Sequence, residues 1–287
     1  CAFASNLPFQ DFLFLPLLRQ PMPTTYGLPR TPWRLSPFSA GLIIAAAALL
    51  AYANSFTGPF VFDDELSIPG NPTLHSLAQA WWPPAANGGV TVAGRPLLNF
   101  SLGLSYALSG TKVWGYHALN LLIHLLASLV LFGVVRRTLL RPALQPRFGS
   151  SATGIALVTT LLWTLHPLQT ESVTYIIQRA ESLVSLCYLL TLWCFIRSFE
   201  PEASPLWRPA ACICCVLGML SKEVMVSAPL IIALYDRVFV AGSWREMWAR
   251  RRTFPLTLAG TWLVLLGLLL GNFNRGGSAG FGTAIAV

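Results

Sequence analysis

What this chain has least of is charge. Only 10% of its 287 residues are Asp, Glu, Lys or Arg, where a soluble domain carries about 25%. It also lacks any polar linker long enough to separate its apolar runs, which recur from residue 39 to residue 271. The length would allow two soluble domains, but without a linker the runs read as one membrane domain. No cleavable leader is expected from residues 1–38, which open on Cys1, are rich in Pro and Arg, and hold no charged-then-apolar run closed by small residues. They are expected to form a poorly ordered cytoplasmic extension ahead of a first helix that acts as an uncleaved anchor. At the other end, residues 272–287 are Gly-rich and are expected to be an outer tail of a truncated chain. Cysteine adds no framework. Of six, Cys187, Cys194, Cys212, Cys214 and Cys215 fall in apolar helices, where the thiol acts as a small packing group, and Cys214 and Cys215 point to different faces, against a metal site.

What is present is apolar: 54% hydrophobic residues and a mean hydropathy of +0.60. A helical span takes about 20 such residues, fewer inside a bundle. Helices are accordingly expected at about 39–56, 114–135, 151–166, 171–198, 207–221, 224–240 and 254–271, giving an all-α, polytopic transmembrane bundle over 39–271 with a large first outer loop. The stretch 96–110 is apolar but short and carries Asn99, Ser101, Ser105 and Tyr106. It reads as a re-entrant or interfacial helix.

Basic residues collect in short cytoplasmic loops. With the N-terminus inside, that side gathers Arg19, Arg30, Arg34, Arg136, Arg137, Arg141, Arg147, Arg197, Arg208, Arg237, Arg245 and Arg250 to Arg252, fourteen of the 19 basic residues. The net charge of +8 therefore reports orientation. Arginines split over loops between apolar spans do not make a nucleic-acid surface. The remaining five, Arg95, Lys112, Arg179, Lys222 and Arg275, fall on the outer side or its interface.

The same orientation places the polar clusters on one face. Asp63 and Asp64, followed by Glu65, lie in the first outer loop, His166 and Glu171 in the next outer turn, Arg179 and Glu181 at the outer part of the fourth helix, and Lys222 and Glu223 between the fifth and sixth. Each has a plainer reading. The acidic triplet after Pro59 suits a solvated helix start, and Lys222 could pair with Glu223. Glu171 and Arg179, eight residues apart, could form a stripe with Tyr175 and Gln178 on one helix face. His117 and His124, at seven residues' spacing, read as hydrogen-bonded bundle histidines, and His166-Pro167 as a helix end.

Phe62-Asp63-Asp64, Asn71-Pro72, Trp81, Gly94-Arg95-Pro96-Leu97, Gly115-Tyr116-His117 with Asn120 and His124, His166-Pro167 with Thr170-Glu171, Gln178-Arg179-Ala180-Glu181 and Ser221-Lys222-Glu223 occur in this order. Over about residues 40–240 the set resembles the N-terminal membrane region of the tetratricopeptide-repeat O-mannosyltransferases that act on cadherins in animals, and their bacterial relatives. No tetratricopeptide repeats occur in these residues, and Glu65 follows the acidic pair where the pattern does not demand an acid. The resemblance implies a GT-C glycosyltransferase-like fold, a polyprenyl-phosphate-linked sugar donor and a protein or glycan hydroxyl acceptor, with an essential acid in the first outer loop. It implies a multi-pass protein of the bacterial inner membrane, or of the endoplasmic reticulum in a eukaryote.

The residues suit that chemistry. Inverting transfer to a hydroxyl needs a carboxylate to take the acceptor proton and cations to meet the charge on the departing lipid phosphate. Asp63 or Asp64 can be the base, its neighbour raising its pKa by like-charge repulsion, with Asp63 preferred. Arg95, Arg179 and Lys222 are the available cations, Lys222 foremost because an unpaired lysine at the interface is costly; His166, Glu171, Glu181 and Glu223 complete the expected substrate contacts. No cofactor is marked with certainty, and Asp63, Asp64 and Glu171 offer oxygen ligands for a divalent cation. The alternatives are a transporter or flippase of a lipid-linked substrate, for which internal repeats and midplane charges are wanting, and a membrane scaffold. Asp236, the deepest acid, is expected to pair with Arg237.

Overall fold

The computed structural model describes residues 35–83 and 91–271. The extension up to residue 34, the Gly-rich tail 272–287 with Arg275, and residues 84–90 lie outside the described residues.

Helix α1, Pro37–Tyr52, begins where the Ser36 hydroxyl accepts the Ser39 N–H and Pro37 supplies a first-turn φ without needing a donor. Ala40, Ile44, Ala48 and Tyr52 are buried at four-residue spacing, while Leu42, Ile43, Leu49 and Leu50 face outward, as the lipid-facing side of a span requires. A short turn of helix, α2 (Asp63–Ser67), and α3 (Pro96–Ser109) follow in the long connection before the next span. With 14 residues, α3 is about 21 Å long, too short for a hydrocarbon core of about 30 Å, and it turns back at Gly110, whose φ of 60° is open to glycine.

The centre of the bundle is α4, Trp114–Leu139, with 26 residues and a length of about 39 Å. It packs against α1, α3, α6 (Ala152–Thr164) and α8 (Arg179–Arg197), and α8 packs in turn on α9 (Trp207–Met219). A stripe of Asn120, His124 and Ser128 on α4 is fully buried. Its members reach neighbouring helices: His124 Nε2 lies 3.0 Å from the Thr164 carbonyl, and the Thr164 hydroxyl donates to Ser128 at 2.9 Å. Polar side chains inside a membrane bundle are retained by such bonds, and both expected bundle histidines behave this way, His117 through the Gly58 carbonyl at 3.0 Å. The chain continues through α5 (Gln145–Phe148), α7 (Gln169–Thr174), α10 (Ala228–Asp236), α11 (Trp244–Arg251), α12 (Thr253–Gly260) and α13 (Trp262–Gly271).

Four stretches are long and apolar enough to cross a membrane, Pro37–Thr57, Trp114–Leu139, Ile176–Arg197 and Glu223–Ala241, with Trp207–Met219 and Thr253–Leu268 shorter. The expected span at 151–166 is a helix of 13 residues. The expected single helix at 171–198 is broken: α7 ends at Thr174, Tyr175 is extended with ψ of 112°, and a single 3₁₀ turn, Ile176–Gln178, leads into α8. Asp236 pairs with Arg251 at 2.9 Å rather than with Arg237, because the chain turns at Gly242 and brings α11 back alongside.

At Gly133 the Trp193 ring lies where a Cβ would stand, and the Arg137 guanidinium sits 4.0 Å above the same ring. Gly133→Ala must displace a rigid indole in a packed interface, so it should cost about 1–3 kcal/mol, read as an earlier thermal transition in detergent. Orientation has its own test. In a cysteine-free background, Cys placed at exposed Thr111 and at exposed Ala143 should label with an impermeant reagent from opposite sides, Thr111 from outside. Labelling from one side would overturn the assigned topology.

Candidate active site

The acidic loop begins with strain. Phe62 has φ of 48° and ψ of −117°, a backbone region that costs a residue with a Cβ roughly 1–3 kcal/mol, and its side chain is 86% exposed. This kink turns the two following carboxylates apart. Asp64 is completely buried: one oxygen accepts the Val61 N–H at 3.1 Å, the other the Ile177 N–H at 2.8 Å. Burial pushes the Asp64 carboxyl above the ordinary range, the two N–H bonds oppose the rise, and the charges of Asp63 and Glu65 reinforce it. Asp63 is exposed. Its carboxylate accepts the Thr91 hydroxyl at 3.0 Å, and its N–H donates to the Tyr175 hydroxyl at 3.2 Å.

The break before α8 explains the difference between the two acids. Ending one helix and starting another frees backbone donors and acceptors that must find partners when buried. Asp64 takes the Ile177 N–H, and Asn120 donates to the carbonyls of Val173 at 3.2 Å and Ile176 at 3.3 Å. Tyr175, left extended at the break, faces the acid loop, with the Phe62 ring 6.5 Å away. Burial raises its hydroxyl pKa, the bond from Asp63 N–H opposes this, and the charges of Asp63, Asp64 and Glu171 add to the rise. Glu171, exposed in the first turn of α7, therefore belongs to the same neighbourhood. It does not share a helix face with Arg179, as the sequence spacing suggested.

Arg179 is fully buried and committed to the frame. Its Nε donates to Asn120, Nη1 to the Ser101 carbonyl at 2.7 Å and Nη2 to the Ser105 hydroxyl and the Tyr116 carbonyl, both at 3.0 Å. The guanidinium thus ties α8 to α3 and α4. The expectation of Arg179 as a substrate cation is corrected on this ground: its donors are spent on the protein, and no atom of it reaches a surface.

Arg95 and Lys222 stand differently. Gly94, at φ of 64°, and Pro96 at the first turn of α3 hold Arg95 so that it donates to the Thr91 carbonyl at 3.1 Å and pairs with Glu223 at 3.2 Å. Lys222 pairs with Glu181, not with Glu223. Leu97 N–H binds the Leu220 carbonyl at 3.1 Å, fastening the Arg95 segment to the Lys222 turn. Contacts run without interruption from Asp63 through Thr91 and Arg95 to Glu223, and from the adjoining Lys222 to Glu181. His166 is exposed, its Nδ1 accepting the Leu168 N–H at 3.2 Å within its own turn. Thr91 and Tyr175 are the members that sequence reasoning passed over as site residues; Tyr175 was visible only as part of a polar stripe, and nothing local marks Thr91.

A divalent cation on Asp63, Asp64 and Glu171 does not fit. Asp64 has both oxygens turned to backbone N–H groups, and among the described residues no group of three His, Cys, Asp or Glu side chains comes together as a ligand set.

An all-α bundle with four stretches able to cross a membrane is the fold of a multi-pass GT-C membrane protein. The chain belongs to the dolichyl-phosphate-mannose-protein mannosyltransferase family, whose pattern matches residues 93–270. It is 30% identical to protein O-mannosyl-transferase TMTC1 of Mus musculus over 220 residues, 70% of this chain and 22% of that protein. It is equally 30% identical to Tmtc2 of Drosophila melanogaster over 209 residues, 68% and 21%, and to TMTC3 of Homo sapiens over 209 residues, 69% and 21%. The chain thus spans about a fifth of the length of these relatives. Asp63 and Asp64 precede the stretch matched by the family pattern. No solved structure matches the chain.

Proposed function

We propose that this chain is the catalytic membrane part of an inverting O-mannosyltransferase, moving mannose from a polyprenyl-phosphate donor to a hydroxyl of a protein on the outer or lumenal side of the membrane. The observation that carries it is the division of the acid pair: Asp64 is locked in the frame, while Asp63 stays exposed and bonded to Thr91, whose carbonyl in turn accepts from Arg95. Asp63 takes the proton of the acceptor hydroxyl as its oxygen attacks the anomeric carbon from the face opposite the phosphate. The bond from that carbon to the phosphate oxygen breaks, and the lipid phosphate leaves with its electron pair. Lys222 and Arg95 meet the charge that develops there. Until a donor binds, Glu181 and Glu223 hold the two cations in place. The Tyr175 oxygen accepts from Asp63 N–H, so its own proton is left to orient a sugar or acceptor oxygen. Glu171, whose charge acts on Tyr175, and the exposed His166 are the remaining candidates for contact with the same substrates.

The test is transfer of labelled mannose from dolichyl-phosphate mannose to Ser- and Thr-containing peptides by the full-length protein in detergent or proteoliposomes. Lys222→Ala should raise the KM for the donor about tenfold, the worth of one charge-assisted bond to phosphate, with a smaller effect on the acceptor KM. A donor KM unchanged by Lys222→Ala and by Arg95→Gln would remove the cations from the reading. Movement of the intact lipid-linked sugar across the bilayer without transfer would replace the enzyme by a flippase.

A further inference from the structure

The basic end of the bundle holds a cavity that sugar transfer does not use. We propose that it binds the phosphate of an acidic membrane lipid. The cavity has a volume of about 460 Å³ and lies where α4 and α8 end, walled by Arg136, Arg137, Arg141, Leu140, Phe199 and Glu200 among others. Its one acid is already committed: Glu200 Oε1 accepts from Arg137 at 2.7 Å and Oε2 from Arg197 at 3.0 Å. A single carboxylate offsets one of those two arginines. Among the described residues Arg136 donates to the Thr153 hydroxyl at 3.2 Å and Arg141 to the Ile196 carbonyl at 3.1 Å, with Asp236 close enough to feel the Arg141 charge. The next carboxylate, Asp236, is held by Arg251 at 2.9 Å. Positive charge is therefore in excess in the walls.

Arginines in the last turns of helices are favourable in themselves, because they face the negative end of the helix dipole. That does not account for the buried Nε of Arg141, a wall residue, which has no acceptor among the described residues. Unpaired guanidinium donors cost free energy when buried, and a phosphate, with several oxygens, suits forked donors better than any neutral group. The position favours a lipid as the source. The cavity lies at the ends of two of the stretches able to cross the membrane, Trp114–Leu139 and Ile176–Arg197, and Leu140, Pro142, Phe199 and Pro201 interleave with the arginines. Such a wall accepts both a headgroup and the first carbons of an acyl chain, and basic pockets between helices on the cytoplasmic side are suited to anionic headgroups. Free phosphate offers the same oxygens without the apolar part.

Native mass spectrometry of the full chain, extracted in a neutral detergent and titrated with phosphatidylglycerol or with phosphatidylcholine of the same acyl chains, separates these cases. Phosphatidylglycerol should be retained over phosphatidylcholine, and the Arg136→Gln/Arg141→Gln variant should weaken its binding roughly tenfold or more. Arg250→Gln, a change at an arginine whose side chain is 74% exposed on the same side, should leave binding as it was. Glu200→Gln removes the one acid and should tighten binding several-fold, so the proposal does not rest on a loss that misfolding could imitate. Equal retention on the double variant, an equal loss in Arg250→Gln, or no gain in Glu200→Gln overturns the site. Displacement of the lipid by inorganic phosphate at equal concentration overturns the lipid as its occupant.

Discussion

Asp63→Asn should lower turnover by about 10²-fold or more, the usual contribution of a positioned general base, while the protein extracts, purifies and melts as the parent does. The exposed carboxylate makes one side-chain bond, from Thr91, and an amide oxygen can still accept it, so the fold loses little. Asp64→Asn should behave in the opposite way. An amide placed there keeps one acceptor oxygen for two N–H donors, so one of them now meets a donor group, and leaving such a buried group unsatisfied costs about 1–3 kcal/mol. The consequence reaches further than Asp64, because the Ile177 N–H is one of the groups freed by the helix break. Its transfer rate per folded molecule should stay much closer to the parent than that of Asp63→Asn. Single-turnover mannose transfer measured beside thermal denaturation distinguishes the two. Equal activity losses in two equally stable variants would mean that both acids touch substrate.

Arg179→Lys should destabilise the protein by about 3–5 kcal/mol, the range seen when one partner is removed from a buried charged network. A lysine keeps the charge but replaces a planar fork by a single ammonium. It cannot serve Asn120, Ser101, Ser105 and the Tyr116 carbonyl together, and these lie on two other helices. The expected result is a much lower yield of folded protein, or a large fall in thermal transition, with α3 and the Tyr175 segment gaining hydrogen exchange first. A stable Arg179→Lys protein whose only defect is a raised donor KM would restore the substrate-binding role that the buried geometry removes.

Much of this was legible along the chain. Low charge and recurrent apolar runs require a membrane bundle, since in lipid only a structure that satisfies its own backbone is tolerated and here the runs have helical length. The ordered motifs pointed to the family that the comparison then showed. Several motif residues proved to serve the scaffold. Asn71 donates to Asn99 at 2.9 Å, Asn99 donates to the Ala80 carbonyl at 2.8 Å, and so the segment after α2 is tied to α3; the His-Pro turn ends α6. What spacing misjudged was pairing. Lys222 and Glu223 are neighbours in sequence, yet the extended backbone at Lys222 (φ −157°, ψ 149°) turns successive side chains to different partners, Glu181 and Arg95.

Hydropathy and charge are properties of each residue, so the membrane class, the helices' approximate places and the concentration of polar motifs could be read along the chain. Which of two adjacent aspartates is exposed, and whether a cation within a motif is a ligand or a strut, are not properties of a residue. They depend on partners far along the chain. Asp64 meets Ile177 across 113 positions and Arg179 meets Ser101 across 78, and a helix that looks continuous from 171 to 198 is broken because Asn120 and Asp64 satisfy the backbone groups the break exposes. Only the tertiary structure brings those partners within bonding distance, and burial then makes each satisfied bond costly to lose.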